Sequence, residues 1–273
     1  MATQSAIMSV MQTAARKASR RMLRDFGEAE KLQISRKGPA DFVSRADKMA
    51  EETIYEVLTE ARPGYGFLME ESGLREGTDR THRFIVDPLD GTTNFLHGIP
   101  HFAISIALER NLEGTPELVA GLVYNPISDE MFFAEKDRGA FINDGRLGGA
   151  DRRLRPARRD LFDSSVFATG IPFLGRPGHA RLLKELHKVM GASAGVRRFG
   201  AASLDLAWTA AGRFDGFWER GLAVWDIAAG TLICREAGMI VESLTDGDVM
   251  DTGDIIICND ALMPRLKECV AFK

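Results

Sequence analysis

Two rhythms of hydrophobic spacing divide the chain, and together they leave few architectures open. Ile7, Val10, Met11, Ala14, Ala18 and Met22 recur at spacings of three and four, which predicts an amphipathic helix of about six turns. Gly27 and then Gly38-Pro39 punctuate it. A second helix is expected over 46–61, with Ala50, Ile54, Val57 and Leu58 on one face and Pro63-Gly64 as its stop. Short β-like runs follow at 66–69, 83–87, 102–109, 117–125 and 130–135. The run AFIND ends at Asn143-Asp144-Gly145, a hairpin-turn signal. Two helices therefore precede a largely antiparallel sheet. Beyond Gly148-Gly149 the spacing changes. Strand-like 162–169 leads to a helix at 178–191, 196–199 to one at 201–212, and 214–219 to one at 224–237. Strands at 239–243 and 254–259 close on a helix at 261–270. Such alternation argues for an α/β layer containing parallel pairs. The expected parts are 1–147, an α+β part, and 148–273, an α/β part, with the boundary at 148–159.

Composition narrows the function classes. Of 273 residues, 45% are hydrophobic and 27% charged, which excludes extended disorder and collagen-like chains. A net charge of −4 is not that of a nucleic-acid binder. Three cysteines without a CxxC pair point to reduced thiols, with Cys258 in a core strand, and away from a disulfide framework or structural zinc. The N-terminus has no long apolar h-region, and no run approaches the about 20 apolar residues of a membrane span. The expected location is cytoplasmic. Five arginines between Arg152 and Arg159 offer either a patch for RNA or an acidic partner, or a solvated connector.

The informative stretch is RFIVDPLDGTTNF, residues 83–95. An apolar strand delivers Asp87, Pro88 keeps it extended, and the chain is expected to turn through Leu89, Asp90 and Gly91. Thr92, Thr93 and Asn94 are helix-start residues. Carboxylates suit hard cations and helix-start amides suit a phosphate, so the pairing describes a metal-assisted phosphoryl site; a plain polar turn is the bland alternative. An EF-hand loop is excluded by Leu89 and Gly98 at ligand positions. No GxxxxGK[ST] or GxSxG string occurs. His97 and His101 are separated by Gly98 and Pro100, so they read as loop histidines rather than a zinc pair. Trp208, Trp218 and Trp225 read as packing residues, Trp225 bracing the Asp226 loop.

Two further acidic elements join the motif: Glu70-Glu71 in MEES, and Asp226 in WDIAAG, where it reads locally as a helix N-cap. MEES, DPLDGTTNF and WDIAAG in this order resemble the signature of the inositol monophosphatases, within a group of Mg²⁺-dependent, lithium-sensitive phosphatases. The likeness runs nearly end to end and implies an alternating α-β-α-β-α sandwich. It implies two or three Mg²⁺ per active site. Glu70 would be a ligand of the first, Asp87 a bridging carboxylate, Leu89 a carbonyl ligand, and Asp90 and Asp226 ligands of the second. Asp47 would pair with Thr92 to orient an attacking water, with Glu70 as the third catalytic residue, and hydrolysis would proceed by direct attack of that metal-bound water. The Gly91 and Thr92 amides would hold phosphate. Gly200, Ala201, Ala202, Glu219 and Asp226 would face the substrate, and Lys37 would lie toward a third metal. The implied reaction is hydrolysis of myo-inositol monophosphate; fructose-1,6-bisphosphate, histidinol phosphate or a nucleotide bisphosphate are alternatives. The implied assembly is a homodimer, without a membrane. Some bacterial relatives are RNA-polymerase or RNA-associated factors, a second alternative.

Overall fold

The computed structural model describes residues 4–26, 34–38, 41–112 and 114–270, the side chains of 34–44 and 146 excepted. Gly27, Pro39 and the Lys37 side chain, singled out above, lie outside the described residues. The first helix, α1 (Ala6–Asp25), buries Met8, Met11, Ala14, Ala18 and Met22 along one stripe, and Ser5 Oγ accepts the Met8 N–H to cap it. A hairpin of β1 (Ile34–Gly38) and β2 (Asp41–Ser44), not foreseen from the spacing, leads into α2 (Arg45–Ala61). The α2 residues Ala46, Ala50, Ile54 and Leu58 pack with the α1 stripe.

The large sheet is built from β3 (Tyr65–Met69), β4 (Gly73–Arg75), β5 (Asp79–Asp90), β6 (Ala103–Leu112), β7 (Thr115–Asn125), β8 (Glu130–Glu135), β9 (Gly139–Asp144) and β10 (Asp151–Arg153). Its order is β10-β9-β8-β7-β6-β5-β3-β4, antiparallel except for the parallel pair β3–β5. A short helix, α3 (Thr92–Leu96), follows β5. The small sheet has the order β12-β11-β13-β15-β14, formed by β11 (Val166–Thr169), β12 (Gly195–Arg197), β13 (Gly216–Glu219), β14 (Ile240–Ser243) and β15 (Ile255–Cys258). Its helices are α4 (His179–Met190), α5 (Ala202–Ala210), α6 (Val224–Ala237), α7 (Val249–Thr252) and α8 (Met263–Val270).

Alternation along the strands sorts these elements into layers. Phe84 and Val86 of β5 face α1 and α2, while Ile85 faces a second cluster with Leu206 of α5, Ile233 of α6, and Phe217 and Ile257 of the small sheet. Trp218 and Ile256 face outward to Val189 of α4 and Leu266 of α8. The result is the expected α-β-α-β-α sandwich, with the central helices shared by both parts of the chain. Helix α6 lies close on the large sheet because β7 carries Gly121; a Cβ there would stand 2.9 Å from the Ala229 carbonyl oxygen. That close approach brings the start of α6 toward the end of β5.

Several local expectations are corrected. The small sheet has the expected parallel pairs, β11 with β12 and β13, but it is not parallel throughout: β15 runs antiparallel to β13 and β14, with α7 making only a short excursion between β14 and β15. Residues 162–164 form a 3₁₀ turn, so the strand expected at 162–169 shortens to β11. The Asn143-Asp144-Gly145 signal does open a hairpin, but through a longer connection, since Asp151 pairs with Asn143. The three cysteines are free and buried, Cys258 in β15.

Candidate active site

Parallel pairing of β3 and β5 assembles the first half of the site. Met69 stands opposite Val86, so the residues that follow, Glu70 and Asp87, emerge side by side; the Glu70 N–H donates to the Val86 carbonyl at 3.1 Å. Asp87 and Asp90 then face a different problem. Three residues apart on a regular strand, they would point to opposite faces. The strand does not turn at Leu89, as the sequence suggested, but continues to Asp90 through a bulge. Asp87 pairs with Ser105 and Asp90 with Ala103, so β5 holds one extra residue there. The bulge returns both carboxylates to one side and sends the Leu89 side chain into the α1–α2 layer. Gly91 adopts the left-handed conformation (φ 89°) that starts α3, which an L side chain adopts only with strain.

The cleft that results has a volume of about 420 Å³ and is lined by Glu70, Asp87, Leu89, Asp90, Gly91, Thr92, Gly200, Ala202, Glu219 and Asp226 among others. Asp87 Oδ1 accepts the Leu89 N–H at 2.9 Å. Asp90 Oδ2 accepts the Ser203 N–H at 2.7 Å and the Ser203 hydroxyl at 2.6 Å, at the start of α5, where a negative charge is favoured. Asp226 Oδ2 accepts the Ala223 N–H at 2.8 Å. Asp226 is thus not the N-cap itself; that position is Ala223, and Asp226 sits within the first turn of α6. Each aspartate is thus held by a backbone N–H of the protein.

Asp47 is fully buried and does not reach the cleft wall, yet Thr92 Oγ1 lies 3.0 Å from its Oδ1. The same hydroxyl lies 3.1 Å from the Leu89 carbonyl oxygen. Both neighbours are acceptors, so the Thr92 proton is directed at them and its lone pairs remain available to an incoming O–H. Ala201 is buried against Gly91, and its neighbours Gly200 and Ala202 line the cleft.

Electrostatics mark the site. Burial raises Asp87 well above the usual carboxylate range, and Glu70, Asp90 and Asp226 add to the rise. Asp226 is raised well above it by burial and then by Asp90, and burial raises Asp90 against the opposing Ser203 hydrogen bonds. Glu219 is pushed up to about 8, first by burial, while Arg198 and Arg176 pull the other way. Such crowded carboxylates fit hard divalent cations, which would be held by Glu70, Asp87, Asp90, Asp226 and the Leu89 carbonyl. Among the described residues, no three His, Cys, Asp or Glu side chains are grouped closely enough to hold a metal ion by themselves.

Sequence reasoning missed several participants. Arg176, Arg198, Gly170 and Phe173 line the cleft, and no local pattern announces them. Asn94, expected only to start a helix, donates to the carbonyls of His101 and Phe199 at 2.7 Å each, tying α3 to the chain before α5. His101 is a loop histidine, as expected, but a buried one, 3.1 Å from Asp205. Burial pushes His101 down to about 4, and burial with the nearby Asp90 raises Asp205 well above the usual carboxylate range. Trp225 lines the cleft, and its carbonyl accepts the Ser105 hydroxyl.

A layered α/β fold with a carboxylate-lined crevice at the carboxyl ends of the parallel strands β3 and β5 is the setting of a phosphatase of the sugar-phosphate class, and its carboxylates are suited to hard cations. The comparisons agree. A family profile described as the inositol monophosphatase family matches residues 3–271. An inositol-1-monophosphatase of Caulobacter vibrioides is 57% identical over 93% of this chain and 97% of that protein. The Nus factor SuhB of Escherichia coli K12 is 41% identical over 95% of this chain and 94% of its own. The crystal structure of the extragenic suppressor protein suhB from Bartonella henselae superimposes with a TM-score of 0.90 at 53% identity, covering 97% of this chain and 98% of that one. The chain belongs to the inositol monophosphatase family and is a phosphatase.

Proposed function

We propose that this enzyme hydrolyses myo-inositol monophosphate to inositol and phosphate in a Mg²⁺-dependent reaction, without a phosphoenzyme. One observation carries the reading: Thr92, held by buried Asp47, opens on the same cleft as Glu70, Asp87, Asp90 and Asp226. Bound Mg²⁺ would neutralise these carboxylates, polarise the phosphate and acidify a water. The chain's own residues do the rest. Thr92 accepts a hydrogen bond from the attacking water and aims it, while Asp47 fixes the hydroxyl. The amides of Gly91 and Thr92 hold phosphate oxygens. Gly200 and Ala202 form the wall against the polyol, and Glu219 accepts from one of its hydroxyls.

The name of the Caulobacter relative supports the substrate. Purified enzyme should be given inositol monophosphate, fructose-1,6-bisphosphate, histidinol phosphate and a nucleotide bisphosphate, each with Mg²⁺ and with chelator. Highest kcat/KM on inositol monophosphate, lost with chelator, is the expected result. A better rate on any other ester overturns the substrate, and full activity in chelator overturns the metal.

Similarity to a Nus factor favours a second role, association with RNA polymerase or RNA, which is compatible with catalysis. The basic run supports it only in part. Arg159 is tied to buried Asp215 at 2.6 Å and Arg152 lies 3.9 Å from Asp144, whereas Arg155 and Arg158 are exposed. A salt-sensitive pull-down with wild type, compared with Arg155→Ala/Arg158→Ala, tests it. We further propose a homodimer and a cytoplasmic location; among the described residues no helix is long and apolar enough to cross a membrane.

A further inference from the structure

We infer that Gly170 is a specificity-determining residue, whose missing side chain makes the seat from which the Glu219 carboxylate meets a hydroxyl-bearing phosphomonoester. This rests on the reading of Glu219 as a substrate contact. Parallel pairing of β11 with β13 places Thr169 opposite Trp218, so Gly170 and Glu219 leave the two strands as neighbours. Both line the cleft. The Gly170 backbone does not occupy the left-handed region, so conformation alone does not demand glycine there. Space does. A Cβ on Gly170 would land on Cδ, Oε1 and Oε2 of Glu219, far inside the 3.0 Å that Cβ contacts do not cross. The atoms displaced would be the carboxylate itself, not a bystander.

Glu219 also differs from the other cleft acids. Asp87, Asp90 and Asp226 each accept a backbone N–H. Among the described residues none donates a hydrogen bond to Glu219. A half-buried carboxylate with unused lone pairs, facing a cleft, is completed by donors on a ligand. Polyol hydroxyls supply such donors. Arg198 and Arg176, on the same wall, offset only part of the burial that raises its proton affinity. A methyl at position 170 would force the carboxylate off its seat and into the volume a polyol needs. Substrates with free hydroxyls would then lose more than a substrate without them.

The test compares inositol monophosphate with p-nitrophenyl phosphate, whose leaving group carries no further hydroxyl. Gly170→Ala should lower the ratio of their kcat/KM values about fivefold or more, the worth of one hydrogen bond. Glu219→Ala should lower the ratio similarly. Adding Gly170→Ala to Glu219→Ala should change it less than about twofold, since the displaced group is already gone. An unchanged ratio in Gly170→Ala, or fully additive losses in the double variant, overturns the proposal. Should Gly170→Ala fail to fold, the double variant should fold, and its failing too would equally overturn it. A crystal structure of Gly170→Ala separates this inference from the functional reading. Glu219 displaced supports the seat even if the enzyme prefers another ester, and Glu219 unmoved removes it. A Glu219→Ala enzyme with an unaltered ratio would instead refute the role assigned to Glu219.

Discussion

Replacing Thr92 by alanine removes a single oxygen, and the structure says what that oxygen does. Its proton is directed to Asp47 Oδ1 at 3.0 Å and the Leu89 carbonyl at 3.1 Å, leaving only acceptor capacity for a water in the cleft. That role exists while the water attacks and contributes little to holding the ester, so the loss belongs in kcat and not in KM. A hydrogen bond within a charged network contributes about 1.5–3 kcal/mol, so kcat should fall about 10- to 150-fold. Asp47→Asn should lower kcat comparably, because the carboxylate sets the direction of the hydroxyl proton. The two losses should not multiply: in the Thr92→Ala background, Asp47→Asn should cost less than about threefold. Asp47 also lies in the first turn of α2, where a carboxylate is worth about 0.3–1 kcal/mol, so the Asp47 variant should melt a few degrees lower. Initial rates by phosphate release, with thermal melts on the same samples, separate the effects. Thr92→Ser, which keeps the hydroxyl, should retain most of the rate. Multiplying losses, or a Thr92→Ala enzyme with raised KM and native kcat, would refute the argument.

Asp87→Asn should abolish turnover yet raise the melting temperature measured in chelator, because it removes one of several mutually repelling buried carboxylates; a lower melting temperature would contradict the crowding. Glu219 binds a proton more tightly folded than unfolded, so its contribution is complete below about 4.5 and is lost as pH rises toward 8; melts in chelator should show that decline and Glu219→Gln should flatten it. His101 acts in the opposite sense: held down to about 4, it contributes stability that disappears as pH falls from about 6.5 toward 4, and His101→Phe should remove that acid-side loss. Li⁺ at millimolar levels should inhibit uncompetitively or in mixed fashion, and Asp226→Glu should blunt it by displacing a ligand oxygen; rates against substrate at several Li⁺ concentrations decide, purely competitive inhibition being the contrary result.

Much of this molecule was legible without coordinates, wherever the information is short-range. The three-and-four spacing of Met11, Ala14, Ala18 and Met22 describes the buried stripe of α1, which Met8 completes while Ile7 and Val10 are only partly buried, and the apolar run Phe84, Ile85 and Val86 describes a strand with two apolar faces. The motif residues Glu70, Asp87, Asp90, Thr92 and Asp226 were likewise readable, because their order along the chain is itself the signal, and they share one cleft. What the sequence did not contain is how distant segments meet. The bulge that turns Asp87 and Asp90 to the same side exists only in the register of β5 against β6. Ser203 holds Asp90 from 113 residues away, and His101 meets Asp205 across 104. Gly170 looks like any loop glycine until β11 and β13 pair in parallel and set the Glu219 carboxylate where its side chain would be. Local propensity acts over a few bonds, whereas these contacts depend on sheet register and layer packing, which are determined by the whole core at once.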